Sequence, residues 1–280
     1  MHILVGSASS RISINEVNDD LGIMSRSTFR NKIYTSGFSE NTLLYTVLNK
    51  IFEVSTARLE GSKVEAEDPH FGGSDYLSSA FGHLFIFESK DILIRKEVKE
   101  QLIVPELRNE LRLKFYKDGN SDKAVLQLAK NIKKILEGKY ERFGFVPGKY
   151  HMIYPIIVVH SDTFNTPALN HLLIKWFKEA CTEAGLTKEQ LYKLRPVVLI
   201  DITTLTYFHE YLSKKATNLN NLIDRYLNYT KLKYDDGGIP RLKSMEQMIP
   251  FSAFVNHYLR SVRRVRTSRW LIETIHPVIL

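Results

Sequence analysis

Asp75 and the run Glu88-Ser89-Lys90 are the residues of this 280-residue chain whose types and spacing could do chemistry. Carboxylate oxygens bind hard divalent cations, and a bound cation can polarise a phosphoryl oxygen and activate a water molecule. A neighbouring lysine can offset the negative charge that develops as the water attacks. These side chains are therefore suited to phosphodiester hydrolysis, provided that the fold brings them together.

The chain around Phe81-Gly82 reads as a hairpin of two strands that could bring them together. A turn centred between these two residues pairs positions whose numbers add up to 163, so that Asp75 faces Glu88. Directly opposed residues of an antiparallel pair point to the same side, with Cβ atoms about 4.5–5.5 Å apart. Alternation along the strand adds Lys90 to that side. The alternative is a weak surface ion pair between Glu88 and Lys90 at a solvated strand end.

A predicted helix that begins near Ser39 supplies another acid. Its apolar stripe consists of Leu44, Val47, Leu48 and Ile51. Glu40 lies at the start of that stripe, where an acid is costly to bury unless it meets a metal, a cation or water. It could therefore join the hairpin site as a third carboxylate. A favourable contact with the positive end of the helix dipole is the alternative.

A second predicted helix, over residues 122–137, has two stripes. The apolar stripe consists of Val125, Leu128, Ile132 and Ile135. The polar stripe consists of Lys123, Gln127, Lys130 and Lys134. Lysines and an amide on one face suit contact with a phosphate backbone. A solvated helix face is the alternative interpretation.

Strands and helices alternate along the chain, which predicts an α/β fold with a mixed sheet flanked by helices. The expected strands are 53–59, 62–67, 75–80, 83–90, 153–159 and 197–202, and the expected helices are 39–52, 92–118, 122–137, 165–184 and 204–214. Three regions follow from this pattern: an N-terminal segment (1–35), a main domain (36–215) with a helical excursion at 92–121, and a mainly helical, basic C-terminal extension (216–280).

The order of these features resembles the PD-(D/E)XK nuclease superfamily, which has the restriction-endonuclease-like fold. That pattern is a helix with a glutamate, an aspartate that opens a strand, an E-x-K at the end of the next strand, and a helix with a lysine or glutamine. The matching residues are Glu40, Asp75, Glu88-x-Lys90, and Lys123 or Gln127. The resemblance covers residues 38–160 and could extend to 215. It departs in the long excursion at 92–121 and in the lack of a Pro-Asp pair at Asp75, whose neighbour is Ser74, a departure that many members tolerate.

The resemblance implies a metal-dependent nuclease. Asp75 and Glu88 would bind Mg²⁺ or Mn²⁺ together with the backbone carbonyl of Ser89, and Glu40 would complete a second metal site. Lys90 would orient the attacking water or offset charge in the transition state. In the same scheme, Gln127 and Lys123 would steady the site or the strand that is cut. The standalone form and the long excursion favour a role in restriction or anti-phage defence.

The net charge of +8 favours a nucleic-acid partner, because cationic side chains that neutralise phosphates release counterions. We expect DNA in preference to RNA. A cluster with no acid among its members consists of Arg260, Arg263, Arg264, Arg266 and Arg269. An acidic partner protein is the alternative for that cluster. The scarcity of recognition motifs also suggests a homo-oligomer or a partner protein that directs the chain to its target.

Several other classes are disfavoured. The single cysteine, Cys181, excludes an internal disulfide and a cysteine zinc cluster, and we expect it in the core of a helix. Apolar runs are far shorter than the ~20 residues of a spanning helix. The N-terminus lacks a basic leader and a long apolar core, so we expect a cytoplasmic protein without a membrane partner.

Two further hypotheses stay open. Asp162 and Asp201 follow predicted strands at the position where open α/β sheets bind ligands, which would suit an unrelated α/β enzyme. No glycine-rich phosphate loop accompanies either residue. A non-catalytic module on the same fold, which binds nucleic acid or a partner, is the other alternative to the nuclease.

Overall fold

The computed structural model describes Ser39 and residues 42–101, 103–215, 217–233 and 242–261. The strands there are β1 (Ala57–Glu60), β2 (Tyr76–Ala80), β3 (His83–Lys90), β4 (Lys117–Asp118), β5 (Ser121–Asp122), β6 (Met152–Val159) and β7 (Val198–Asp201). The helices are α1 (Tyr45–Ile51), α2 (Gly61–Glu67), α3 (Lys96–Gln101), α4 (Val104–Phe115), α5 (Ala124–Leu136), α6 (Leu169–Glu183), α7 (Lys188–Leu191), α8 (Ile202–Ser213), α9 (Asn218–Tyr229), α10 (Leu242–Met245) and α11 (Phe251–Ser261).

Five of the described strands form one mixed sheet in the order β1-β2-β3-β6-β7. The β1–β2 and β2–β3 pairs are antiparallel, whereas β3–β6 and β6–β7 are parallel. The short strands β4 and β5 form a separate ribbon. The predicted α/β class, with a mixed sheet flanked by helices, is therefore confirmed.

Apolar side chains on both faces of the sheet create two core layers. Along β3, Leu84 and Ile86 belong to one hydrophobic cluster, and Phe85 and Phe87 belong to the other. We call the first side the α5 face, because buried residues of α5 and α6 cover it. The second is the α1 face, covered by buried residues of α1, α8, α9 and α11. This double burial explains why β3 has a continuous apolar run rather than an alternating pattern.

The hairpin register is the predicted one. Tyr76 pairs with Phe87 and Ala80 with His83, so that paired numbers add up to 163. The turn has only two residues, and both have positive φ, at 50° for Phe81 and 75° for Gly82. A two-residue turn of this kind matches the right-handed twist of the strands, although phenylalanine rarely adopts positive φ.

Two predicted elements differ from the observed ones, and the predicted helical excursion is observed as two helices. Residues 62–67, predicted as a strand, form helix α2, in which only Val64 is buried. The predicted excursion at 92–118 contains two helices, α3 and α4. Helix α6 begins at Leu169 rather than near Asn165, because Ala168 has a φ of 65° and its N–H donates to the carbonyl of Met248.

The described part of the predicted C-terminal extension packs on the sheet. Leu222 and Tyr226 of α9 and Phe254 of α11 belong to the same buried cluster as Phe85 and Tyr154. These helices therefore share the core of the main domain. Cys181 is buried on α6, as predicted. None of the described helices combines the length and apolar character that a bilayer crossing requires.

Candidate active site

Asp75 and Glu88 meet at the end of the β2–β3 hairpin, on the α5 face. The register places Asp75 opposite Glu88, one position beyond the pair of Tyr76 and Phe87. Asp75 lies two positions before Leu77, and Glu88 lies two positions after Ile86, so each acid points to the same side of the sheet as that apolar residue. Leu77 and Ile86 both belong to the cluster on the α5 face. The structure therefore brings the two carboxylates to one side of the sheet, as the sequence predicted.

Lys90 interacts electrostatically with both carboxylates. Its Nζ donates to Oε1 of Glu88 at 2.7 Å, and the Glu88 residue is only 2 % exposed. Burial raises the pKa of the Asp75 carboxyl, while the Lys90 ammonium and the Ser89 N–H lower it in part. A buried acid whose pKa is raised by desolvation gains from a nearby cation, because the cation restores the stability of the charged form.

Backbone contacts fix the position of Asp75, and the sequence did not reveal them. The N–H of Gly61 donates to the Asp75 carbonyl at 2.7 Å, and the N–H of Ser89 donates to Oδ2 of Asp75 at 2.5 Å. The hydroxyl of Tyr140 accepts from the N–H of Ser74 at 3.2 Å. Burial, with smaller contributions from the negative charges of Glu88 and Asp75, raises the pKa of Tyr140 to about 12.

Ser89 connects the site to the opposite face of the sheet. Its side chain points to the α1 face by alternation, and its Oγ lies 2.8 Å from Nε2 of His160. His160 follows β6 directly and is 7 % exposed. Sequence reasoning gave His160 no role in the site, although its place after a strand parallel to β3 was a usable signal. The hydrogen bond ties the ends of β3 and β6 together beside Glu88 and Lys90.

Helix α5 packs on the face that carries Asp75 and Glu88. Within the described residues, Oε1 of Gln127 is buried and accepts no hydrogen bond. A buried amide oxygen normally has a donor, so this atom is a natural acceptor for a water or a bound group. Gln127 is seven residues before Lys134, and therefore on the same side of the helix. Lys134 donates to the carbonyls of Phe71 and Gly72, in the loop that leads to Asp75.

Two lysines of the predicted stripe, Lys130 and Lys134, contact other parts of the protein. Lys134 supports the loop before Asp75, and its partial burial lowers its pKa. Lys130 forms an ion pair with Asp122. Lys123 is half-buried at the N-terminal boundary of α5. The stripe is thus used in part to hold the protein together.

Five of the predicted site residues lie outside the part of the chain that the structure describes, and Arg260 lies within it on the other face of the sheet. Glu40, Arg263, Arg264, Arg266 and Arg269 are outside. Arg260 is exposed on α11, which packs on the α1 face. Ser39 is buried, and its hydroxyl donates to Asp91, the residue after Lys90, at 3.4 Å.

The competing site at Asp162 and Asp201 does not form a comparable cluster. Asp201 is buried, and its two carboxylate oxygens accept from the N–H and the hydroxyl of Thr204 at 2.8 and 2.6 Å. It caps helix α8, which satisfies both oxygens locally. Asp162 is exposed in a short 3₁₀ turn. This arrangement favours a structural role for Asp201.

The donor set of the hairpin site suits a hard divalent cation. In the described ranges, no three histidine, cysteine or acidic side chains are grouped as a complete metal cage. Mg²⁺ rarely needs one, since it keeps several waters and is commonly held by one or two carboxylates and substrate phosphates. Asp75 and Glu88 supply two such carboxylates, and the carbonyl of Ser89 is adjacent in sequence.

Comparison of the chain with protein-family models, curated proteins and solved structures finds no match.

Proposed function

We propose that this protein is a metal-dependent nuclease that hydrolyses phosphodiester bonds of nucleic acid. One observation carries the proposal: Asp75 and Glu88 share the α5 face at the end of β3, with Lys90 Nζ 2.7 Å from Glu88. Two carboxylates and a lysine, partly shielded from water, are the groups that this hydrolysis requires. DNA is the expected substrate, and restriction or defence against mobile elements is the expected setting.

Each residue of the site has a distinct role in the proposed reaction. Asp75 and Glu88 would hold Mg²⁺ or Mn²⁺, with the backbone carbonyl of Ser89 as a further ligand. The ion would supply Lewis acidity toward the phosphoryl oxygen and a lowered pKa for its bound water. Lys90 is placed to orient the water or to offset transition-state charge. Gln127 offers a buried acceptor on the helix that covers the site.

The order of the surrounding elements supports a restriction-endonuclease-like architecture. Helix α1 is followed by the antiparallel strands β1, β2 and β3, then by α5, and then by β6 parallel to β3. That is the order on which the resemblance rests. The excursion of α3 and α4 is inserted between β3 and α5, directly after the end of β3 that carries Glu88 and Lys90.

Cleavage assays with matched variants test the proposal. Supercoiled plasmid, single-stranded DNA and RNA are incubated with Mg²⁺, with Mn²⁺ or with EDTA. We expect metal-dependent cutting that is lost in Asp75→Asn, Glu88→Gln and Lys90→Ala. Asp162→Asn is the matched control, because it makes the same chemical change at an exposed carboxylate and should leave cutting intact. Ser89→Ala should also cut, because alanine keeps the backbone carbonyl.

Direct Mn²⁺ binding, measured by electron paramagnetic resonance or calorimetry, gives a readout that is independent of substrate. We expect binding to weaken in Asp75→Asn and Glu88→Gln and to persist in Asp162→Asn. Cutting that survives both active-site substitutions would overturn the proposed site. Nucleic-acid binding without cutting by the wild-type protein under every metal condition would instead favour the non-catalytic module.

A further inference from the structure

A cleft of about 600 Å³ lies between α6, the end of α9 and the segment that leads into β7. The apolar part of its lining comes from Ile174 of α6, Pro196, and Leu227 and Leu232 at and after the end of α9. The volume falls within the range of sites that take a nucleotide-sized ligand. The cleft lies where the helices of the α5 face and those of the α1 face meet along the edge strand β7.

Three lysines and a histidine accompany this apolar lining. His171, Lys175 and Lys178 follow one another at i, i+4 and i+7 along α6, so that they share one side of the helix. Lys231 faces them from the end of α9. Lys175, Lys178 and Lys231 are exposed, and none has a carboxylate within ion-pair distance in the part of the chain that the structure describes. Each is therefore available for an anionic ligand.

The acid in the lining is already neutralised. Asp224 forms an ion pair with Arg195 at 2.9 Å and accepts a hydrogen bond from the Tyr154 hydroxyl at 3.1 Å. It does not compensate the three lysines. The cleft therefore combines an apolar lining with an excess of positive charge, and a positively charged groove suits the phosphate backbone of a nucleic acid.

The cleft is distant from the candidate active site. Leu194, next to Arg195, bridges to Ile153 near the start of β6, whereas Val159 at the end of β6 pairs with Lys90. The six residue-to-residue steps from Ile153 to Val159 span about 20 Å at the usual rise of a strand. The two sites thus lie toward opposite ends of the sheet, and a ligand of the cleft would not need to occupy the active site.

We propose that this cleft binds a single strand of nucleic acid through its phosphates. Lys175, Lys178 and Lys231 contact the backbone, and the apolar lining receives a base or a sugar. A single strand fits better than a duplex, because a cleft of this size admits unstacked groups rather than a whole double helix. The proposal adds a second contact region to the proposed nuclease, and its test does not depend on cleavage.

The test compares two triple variants that change the net charge equally. The cleft variant is Lys175→Glu/Lys178→Glu/Lys231→Glu. The control variant is Lys188→Glu/Lys214→Glu/Lys215→Glu, which reverses three exposed lysines outside the cleft lining. Thermal melting confirms that both are folded. Binding to fluorescent single-stranded DNA and RNA oligonucleotides is measured by anisotropy in EDTA, over a series of salt concentrations.

We expect the affinity of the cleft variant to fall at least about tenfold. The slope of log K against log salt should become less negative by about 2, as the loss of three phosphate contacts predicts. The control variant should keep most of the affinity and the slope. Equal losses in both variants would overturn the proposal, because they would reflect net charge alone. A mononucleotide that binds the cleft as tightly as the oligonucleotide would also overturn it in favour of a nucleotide site.

The outcomes for the two proposals can be told apart. If the cleft variant binds weakly while Asp75→Asn binds normally in EDTA, the cleft is supported whether or not the protein cuts. If the wild-type protein cuts but both triple variants bind like wild type, the cleft proposal fails and the nuclease stands.

Discussion

The geometry of the candidate site depends on a few residues that do no chemistry themselves. Asp75 is held through its carbonyl by Gly61 and through its carboxylate by the N–H of Ser89. Tyr140 holds the preceding residue, Ser74, from the loop after α5. These contacts restrain both the backbone and the side chain of Asp75, which is what a ligand must have if it is to bind a cation without reorganising.

Gly61 should be intolerant of any side chain for this reason. A Cβ at this position would lie 2.8 Å from the Ser74 carbonyl oxygen and 3.0 Å from Cα of Asp75, so the backbone that carries Asp75 must move. We expect Gly61→Ala to lower the free energy of unfolding by about 1–3 kcal/mol, as in other overpacked sites. Denaturant unfolding measures the stability, and the plasmid assay should show a loss of cutting that exceeds what the stability change explains.

Ser62→Ala is the matched control for Gly61→Ala, since it introduces the same residue at the next, exposed position of α2. It should leave stability and cutting almost unchanged. A Gly61→Ala protein that cuts like wild type at a temperature where it is fully folded would contradict the inferred dependence of Asp75 on Gly61.

Among the secondary-structure elements, the register of the hairpin was predictable from the sequence, whereas helix α2 and the start of α6 were not. The register was predictable because β3 is apolar on both faces and its turn lies at Phe81-Gly82. The helical character of 62–67 was missed because its single buried residue, Val64, leaves little periodic signal. The start of α6 depends on a hydrogen bond from Ala168 to Met248, a contact between distant parts of the chain that no local pattern reveals.

The same limit applies to the residues around the site. Asp75, Glu88 and Lys90 were predictable because strand alternation and one turn relate them. Tyr140 and His160 were not, because their contacts with Ser74 and Ser89 span 66 and 71 positions of sequence. Only the tertiary arrangement of α5, β3 and β6 brings them to the site.

The turn of the hairpin is expected to be strained. Phe81 has a φ of 50° and is 71 % exposed, so its ring gains little from burial while its backbone adopts a conformation that costs about 1–2 kcal/mol for most residues. Phe81→Asn should raise the free energy of unfolding by about 0.5–1 kcal/mol, because asparagine tolerates positive φ in two-residue turns. Chemical denaturation measures the change.

Phe81→Ala separates the backbone effect from the loss of the ring. Alanine removes the aromatic side chain but keeps the unfavourable φ, so its stability should stay near that of the wild type. If Phe81→Ala stabilised the protein as much as Phe81→Asn, the gain would come from removing an exposed apolar ring rather than from relief of strain.

At the scale of the whole molecule, the C-terminal helices complete the core that supports the site. Tyr226 of α9 is fully buried, its ring lies 5.3 Å from that of Phe251, and its hydroxyl donates to the carbonyl of Ile249 at 3.0 Å. The α1 face of β3 and β6 belongs to the same cluster. The sheet that carries Glu88 and Lys90 is therefore covered on one side by residues from the end of the described chain.

This shared core predicts a single cooperative unfolding transition. Trp176 lies on α6, across the sheet from Tyr226, and reports on the α5 face alone when Trp270 is replaced by phenylalanine. In that background, Tyr226→Ala should lower the stability reported by Trp176 fluorescence by about 3–5 kcal/mol, the usual cost of truncating a large buried ring. Tyr226→Phe, which loses only the hydroxyl contact, should cost about 0.5–1.5 kcal/mol.

Because circular dichroism reports on all helices, its midpoint should coincide with that of the fluorescence in every variant. A Trp176 transition unmoved by Tyr226→Ala would mean that the C-terminal helices fold as a separate unit, and residues 36–215 would then suffice to build the site.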